Sequence, residues 1–211
     1  MKKQLKIKPV ADPSTEEKIK NAARIIFHKK GYAATRTRDI ADEAGINLAL
    51  LNYYFRSKEK LFDIIVLESL HSFRHNIEGV FNDEKTSLEH KIETLVNNYI
   101  DLLINQPDIP LFILSELRND PQALVSKMNP KGALMNSYFI KQFQQAVKEG
   151  KIAPIPPLHF IMNLIGMIVF PFAGRPIISI VGGLKQDDFN ALMEQRKKLI
   201  PKWLKAISQV K

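Results

Sequence analysis

Two short amphipathic stretches meet across Gly45, and this corner constrains the chain more than any other feature. Helices of this length, about Thr37–Ala44 and Asn47–Tyr54, need particular residues where they touch. Ala41 is small enough to let the second helix approach the first. Four residues on, Gly45 supplies the positive φ that the tight turn requires. Ile40, Ala44, Ile46, Leu51 and Tyr54 fall at the inward positions, and Asn47 is a good N-cap for the second helix. An ordinary αα-hairpin satisfies the same pattern, so charge has to decide whether the corner reads DNA.

The charge is placed unevenly. Residues 1–65 hold 14 Lys/Arg against 8 Asp/Glu, a net of +6, within a chain total of +9. Two-thirds of the basic excess therefore surrounds the corner, as suits a polyanionic partner. Residues 1–13 carry Lys2, Lys3, Lys6 and Lys8 with two prolines, and read as a flexible basic arm. Cysteine is absent, which excludes disulfides, thiolate metal sites and cysteine nucleophiles and fits a cytoplasmic protein. The N-terminus lacks a secretory apolar run. The most apolar stretch, residues 160–172, is too short for a bilayer and is interrupted or bounded by Asn163, Pro171 and Arg175. No membrane partner is expected.

Apolar residues recur at helical spacing almost throughout, so the expected fold class is all-α. Ser14 and Glu17 form a capping box before Ile19, Ala22, Ala23, Ile26 and Phe27, a single apolar face that Gly31 should terminate. Ser57 opens a longer helix towards Val80, and Thr86 with Glu89 caps another that runs from Leu88 to Ile104. Prolines cut the following stretch into 111–117 and 122–128. Longer helices are expected over 131–149, 157–169 and 187–208, with Pro201 kinking or splitting the last. Residues 177–181 are the one candidate strand. The expected organisation is the arm, a three-helix DNA-binding domain over 14–60, and a helical effector-binding and dimerisation domain over 61–211.

If the second short helix enters a major groove, its outward N-terminal residues Asn47, Leu48, Ala49 and Asn52 reach base edges. Asn52 suits adenine, while Leu48 and Ala49 suit thymine methyls. No arginine lies on this face, so guanine contacts fall to Arg36 or Arg38. Thr37, Tyr53, Tyr54 and Lys58 are placed to hold phosphates, with Tyr54 equally suited to the core.

The stretch TEEKIKNAARIIFHKKGYAATRTRDIADEAGINLALLNYYFRSKEKLF, Thr15 to Phe62, resembles the N-terminal domain of the TetR family of repressors. The late phenylalanine of the first helix, the KKGY turn, IADEAGI and YYFRSKEKLF match in order and spacing. Ala49 stands where glycine is frequent, and Asn52 where tyrosine is frequent. The resemblance implies a repressor that binds double-stranded DNA at a palindromic operator as a homodimer. It also implies a C-terminal domain that dimerises through its last two long helices and takes a small-molecule effector. Phe160, Leu164, Ile168, Phe189, Met193 and Trp203 are the candidate interface residues, with intrachain core as their alternative. Tyr99, Phe112, Glu116, Met128, Met135, Tyr138, Phe143 and Met162 are the candidate pocket residues. Glu116 is equally placed for solvent.

No enzyme is expected: a phosphate-cradling loop, an HExxH helix and a GxSxG elbow are all missing. His71 and His75 share a helix face, but no acidic pair completes a metal site. No metal or other cofactor is expected.

Overall fold

The computed structural model describes residues 13–128 and 133–209, and every regular element among them is helical. The chain divides into two compact units, one ending at Leu67 and the other beginning at Glu68. The basic arm, apart from Pro13, lies outside the described residues.

The first unit holds α1 (Pro13–Ala34), α2 (Thr37–Glu43), α3 (Leu48–Tyr54) and the start of α4 (Lys58–Asn82). Ile19, Ala22, Ala23, Ile26 and Phe27 of α1 are buried together with Ile40, Ala41, Ala44, Leu51, Phe55, Leu61 and Ile65. The 3.6-residue period of α1 therefore becomes one wall of a small core, each fully buried aliphatic side chain contributing about 1.5–3 kcal/mol. The helix breaks where expected, at Gly31, whose φ of 75° and ψ of 163° leave the helical region.

The second unit contains the remainder of α4, α5 (Leu88–Asn105), α6 (Ile109–Asn119), α7 (Pro121–Met128), α8 (Tyr138–Lys148), α9 (Pro157–Ala173), α10 (Arg175–Gly182) and α11 (Gln186–Ile207). Helix α5 is the axis, packing against α8, α9 and α11. Leu88, Ile92, Leu95, Val96, Tyr99, Ile100 and Leu103 are buried along it. Arg196 of α11 donates to the Met167 carbonyl of α9 at 2.7 Å, and Lys197 pairs with Asp101 of α5.

Three local expectations change and a fourth narrows. The N-cap of α5 is Ser87, whose hydroxyl accepts from the His90 N–H; Thr86 instead points its hydroxyl at a buried lysine. The helix expected over 131–149 is shorter, because Ser137 caps α8 through the Ile140 N–H and residues 133–136 form turns. Residues 177–181 are helical, not a strand: Pro176 in the first turn of α10 suits a helix start, and an apolar run carries no period to tell the two apart. Of the two outcomes expected at Pro201, a split does not occur: α11 is one helix through it, with Ile200 and Leu204 buried on either side. Helices α9 and α10 meet at 67°, and no single helix among the described residues is long and apolar enough to cross a membrane.

Candidate nucleic-acid interface

The corner between α2 and α3 closes as a Schellman motif. The Ile46 N–H reaches back to the Ala41 carbonyl at 3.0 Å, and the Gly45 N–H to that of Asp42 at 3.1 Å. Both bonds depend on Gly45 at φ 63°, which costs a residue with a Cβ about 1–2 kcal/mol. Helix α3 then starts cleanly, because Asn47 Oδ1 accepts the Leu50 N–H at 2.8 Å. Leu51 is fully buried and pins α3 to the core.

A second set of contacts holds the end of α1 and the start of α2. Asp39 accepts the Arg36 N–H at 2.9 Å and pairs with Lys30 at 3.1 Å. Those two partners, the Arg36 backbone first, hold its carboxyl below the usual range. Lys58 Nζ donates to the Tyr32 and Thr35 carbonyls at 2.8 and 2.9 Å and lies 4.2 Å from the centre of the Tyr32 ring. Two of its three N–H groups thus serve the α1–α2 connection, a bracing role that the sequence did not disclose. Tyr32 in turn lies 4.6 Å from the Phe62 ring, and Phe62 meets Phe27 edge-on at 5.1 Å.

The remaining candidate residues are distributed unevenly. Arg36, Arg38, Asn47, Ala49 and Asn52 are exposed, and Tyr53 is 44 % exposed. Thr37 is half-buried. Leu48 and Tyr54 are half-buried and pack against the core, which leaves each only part of its surface for a ligand. Tyr53 and Tyr54 contact each other edge-on at 5.5 Å. The outward row of α3 is therefore Ala49, Asn52 and Tyr53.

The second unit contains a cavity of about 300 Å³. Of the candidate pocket residues whose side chains are described, only Tyr99 lines it; its other walls include Leu70, Phe73, Arg74, Ile77 and Phe81 of α4 and Leu164 of α9. Phe112 and Phe143 are core residues, while Met135 and Met162 are exposed. Tyr138 is half-buried with the Lys91 ammonium 5.4 Å from its ring centre. The side chains of Glu116 and Met128 lie outside the described residues. The α4 contribution escaped sequence reasoning, although Arg74 between Phe73 and Ile77 on an otherwise apolar stripe is a visible signal.

Among the candidate interface residues, Phe160, Leu164, Ile168, Phe189 and Met193 are buried within the chain itself. A side chain with no exposed surface has little left to offer a partner, so these five belong to the intrachain core; Trp203 remains partly exposed. The large apolar side chains exposed on the last three helices are instead Leu158, Met162 and Phe170 of α9, Ile177, Ile180 and Val181 of α10, and Leu192, Trp203 and Ile207 of α11.

Residues 19–65 match the family model described as bacterial regulatory proteins, tetR family. The chain is similar to the probable HTH-type transcriptional regulator YttP of Bacillus subtilis, 27 % identical over 176 residues, covering 80 % of this chain and 82 % of that one. It is also similar to the HTH-type transcriptional regulator RutR of Escherichia coli, 28 % identical over 200 residues and 86 % of each chain. In fold it resembles the transcriptional regulator FadR of Bacillus subtilis, solved in complex with stearoyl-CoA, with a TM-score of 0.55 and 18 % identity over 92 % of this chain and 99 % of that one. With a helix-turn-helix that closes on Gly45, residues 19–65 form a DNA-binding domain of the TetR type, and the chain is similar over most of its length to helix-turn-helix transcriptional regulators.

Proposed function

We propose that this chain is a repressor that binds a palindromic operator as a homodimer and leaves it when a small-molecule effector fills the Tyr99 cavity. The observation that carries the reading is the outward row Ala49, Asn52 and Tyr53 on a capped, pinned α3, with exposed Arg36 and Arg38 at the start of α2. In this reading Asn52 takes an adenine edge, Ala49 a thymine methyl, and Tyr53, Thr37, Arg36 and Arg38 hold the backbone or an adjacent guanine. Residues 14–60 form the reading domain and 61–211 the effector and dimer domain. The arm, residues 1–13, adds phosphate contacts.

The dimer face is assigned to the exposed apolar side chains of α9, α10 and α11. Ile180 is 81 % exposed, and large apolar side chains left uncovered on these helices favour an interface there. Release requires the effector to bind the DNA-competent and DNA-incompetent shapes with different affinity. Helix α4 supports such a link, since Leu61 and Ile65 sit in the first core while Leu70, Phe73, Arg74 and Ile77 line the cavity.

Selection of bound duplexes from a random pool tests the reading. Recovery of a palindrome whose affinity falls steeply with salt is the expected result. A non-palindromic or sequence-indifferent pool, or a flat salt response, would remove it.

A further inference from the structure

The cavity's chemistry restricts what can fill it. Its volume of about 300 Å³ lies at the small end for ligand sites. At about 30 Å³ for each water-sized unit, it takes on the order of ten non-hydrogen atoms. Leu70, Phe73, Ile77, Phe81, Leu95 and Leu164 make most of its wall apolar.

The polar groups on that wall divide into those already satisfied and those that are not. Asn82 donates to the Glu78 carbonyl and accepts from the Tyr138 N–H, and the Ser137 hydroxyl donates to the Leu134 carbonyl. Arg74 Nε is buried without a hydrogen-bond partner. The Tyr99 hydroxyl makes no hydrogen bond among the described residues, and burial alone pushes its pKa up to about 12, so it stays a neutral donor. The groups on that wall without a partner are therefore donors, and the one carboxylate there, Glu78, is already held by Arg74.

Charge narrows the choice. Arg74 Nη1 donates to Glu78 Oε2 at 2.9 Å, and Nη2 lies 3.2 Å from His71 Nε2. The Glu78 carboxylate already offsets the guanidinium, so an anionic head would lose its hydration without gaining an uncompensated cation. A neutral oxygen is an acceptor that a donor on this wall takes without that cost.

We infer that the occupant of this cavity is an uncharged, mainly apolar small molecule that presents a carbonyl-type oxygen to Tyr99 and Arg74. The inference rests on the reading of this cavity as the effector site.

Three probes of nearly one size test it: n-butylbenzene without an acceptor, butyrophenone with a neutral carbonyl, and phenylbutyrate with a carboxylate. Binding to the full chain is measured by calorimetry in the absence of DNA. Butyrophenone is expected to bind roughly tenfold tighter than n-butylbenzene, and phenylbutyrate more weakly than butyrophenone. Tyr99→Phe should erase the preference for the ketone while leaving the hydrocarbon's affinity unchanged, and Arg74→Met should reduce the same preference. Equal affinity for ketone and hydrocarbon, tightest binding of phenylbutyrate, or no binding by any probe would overturn the assignment. Butyrophenone bound with the expected preferences, but without effect on operator affinity, would uphold the ligand class and remove the regulatory reading alone.

Discussion

Lys91 is the most informative residue to perturb in the second unit. It is fully buried, and its ammonium donates to the Asp83 carbonyl at 2.6 Å, the Thr86 carbonyl at 2.7 Å and the Thr86 hydroxyl at 2.8 Å. All three acceptors are uncharged and lie in the α4–α5 connection, so the charge replaces the backbone donors that this turn lacks. Burial holds the Lys91 pKa below its usual value, partly offset by the Asp83 carboxylate. Lys91→Met keeps the length of the stem and removes the donors. The Thr86 carbonyl keeps a partner, since Gln142 Nε2 also donates to it at 2.8 Å. The Asp83 carbonyl keeps only the Thr86 hydroxyl at 3.4 Å. One poorly satisfied carbonyl costs about 1–3 kcal/mol, and release from desolvating the ammonium offsets part of the remaining loss. The expected net destabilisation is about 2–3 kcal/mol. Urea unfolding followed by fluorescence of Trp203, the single tryptophan, reads it directly, since that residue lies in the same unit. A change below about 0.5 kcal/mol would refute the reasoning, because desolvation would then cancel the hydrogen bonds. The same variant should weaken butyrophenone binding, because Asn82 and Ser137 on the cavity wall flank this connection and α8.

Gly45→Ala should destabilise the first unit by about 1–2 kcal/mol. The added Cβ meets nothing nearer than Lys18 Nζ at 3.9 Å, so strain at φ 63° is the whole cost, and Gly45→Asn should recover part of it in thermal melts. Tyr53→Ala is expected to weaken binding to all duplexes alike, whereas Asn52→Ala relaxes preference at one base pair of each half-site by about 1–3 kcal/mol; a uniform loss for Asn52→Ala in competition assays would take it out of the reading set. The Tyr99 pKa is about 12 in the fold against 10 in the open chain, so its contribution is fully present below pH 10 and is lost as pH rises towards 12. At a pH of about 11 that loss is about 1.4 kcal/mol, and Tyr99→Phe should not show it in urea melts compared with neutral pH.

The helix-turn-helix could be read from the chain because its determinants are local. Gly45 is needed by a backbone angle, Asn47 by an unpaired N–H three residues away, and the face of α1 by a period contained in one helix. Even here one role of Lys58 is not local, since its partners Tyr32 and Thr35 lie more than twenty residues upstream and make the phosphate candidate a brace as well. In the second unit the same periodicities show which faces are apolar and not which of them find cover within the chain. Helix α9 illustrates the difference: Phe160, Leu164 and Ile168 look inward while Leu158, Met162 and Phe170 look out, and all six are equally apolar in the sequence. The cavity is harder still, because it is a space left where packing stops. Phe112 and Phe143 have the composition expected of a pocket and fill the core instead, whereas Leu70 and Ile77 have the composition of a core and border the space. A void bounded by α4, α5 and α9 depends on how residues some ninety positions apart fail to meet, and no local pattern encodes that failure. What survives at the level of sequence is a chemical irregularity: Arg74, set in the apolar stripe of Leu70, Phe73, Ile77 and Phe81. A charged residue there is costly unless something answers it, and Glu78 answers only one of its nitrogens.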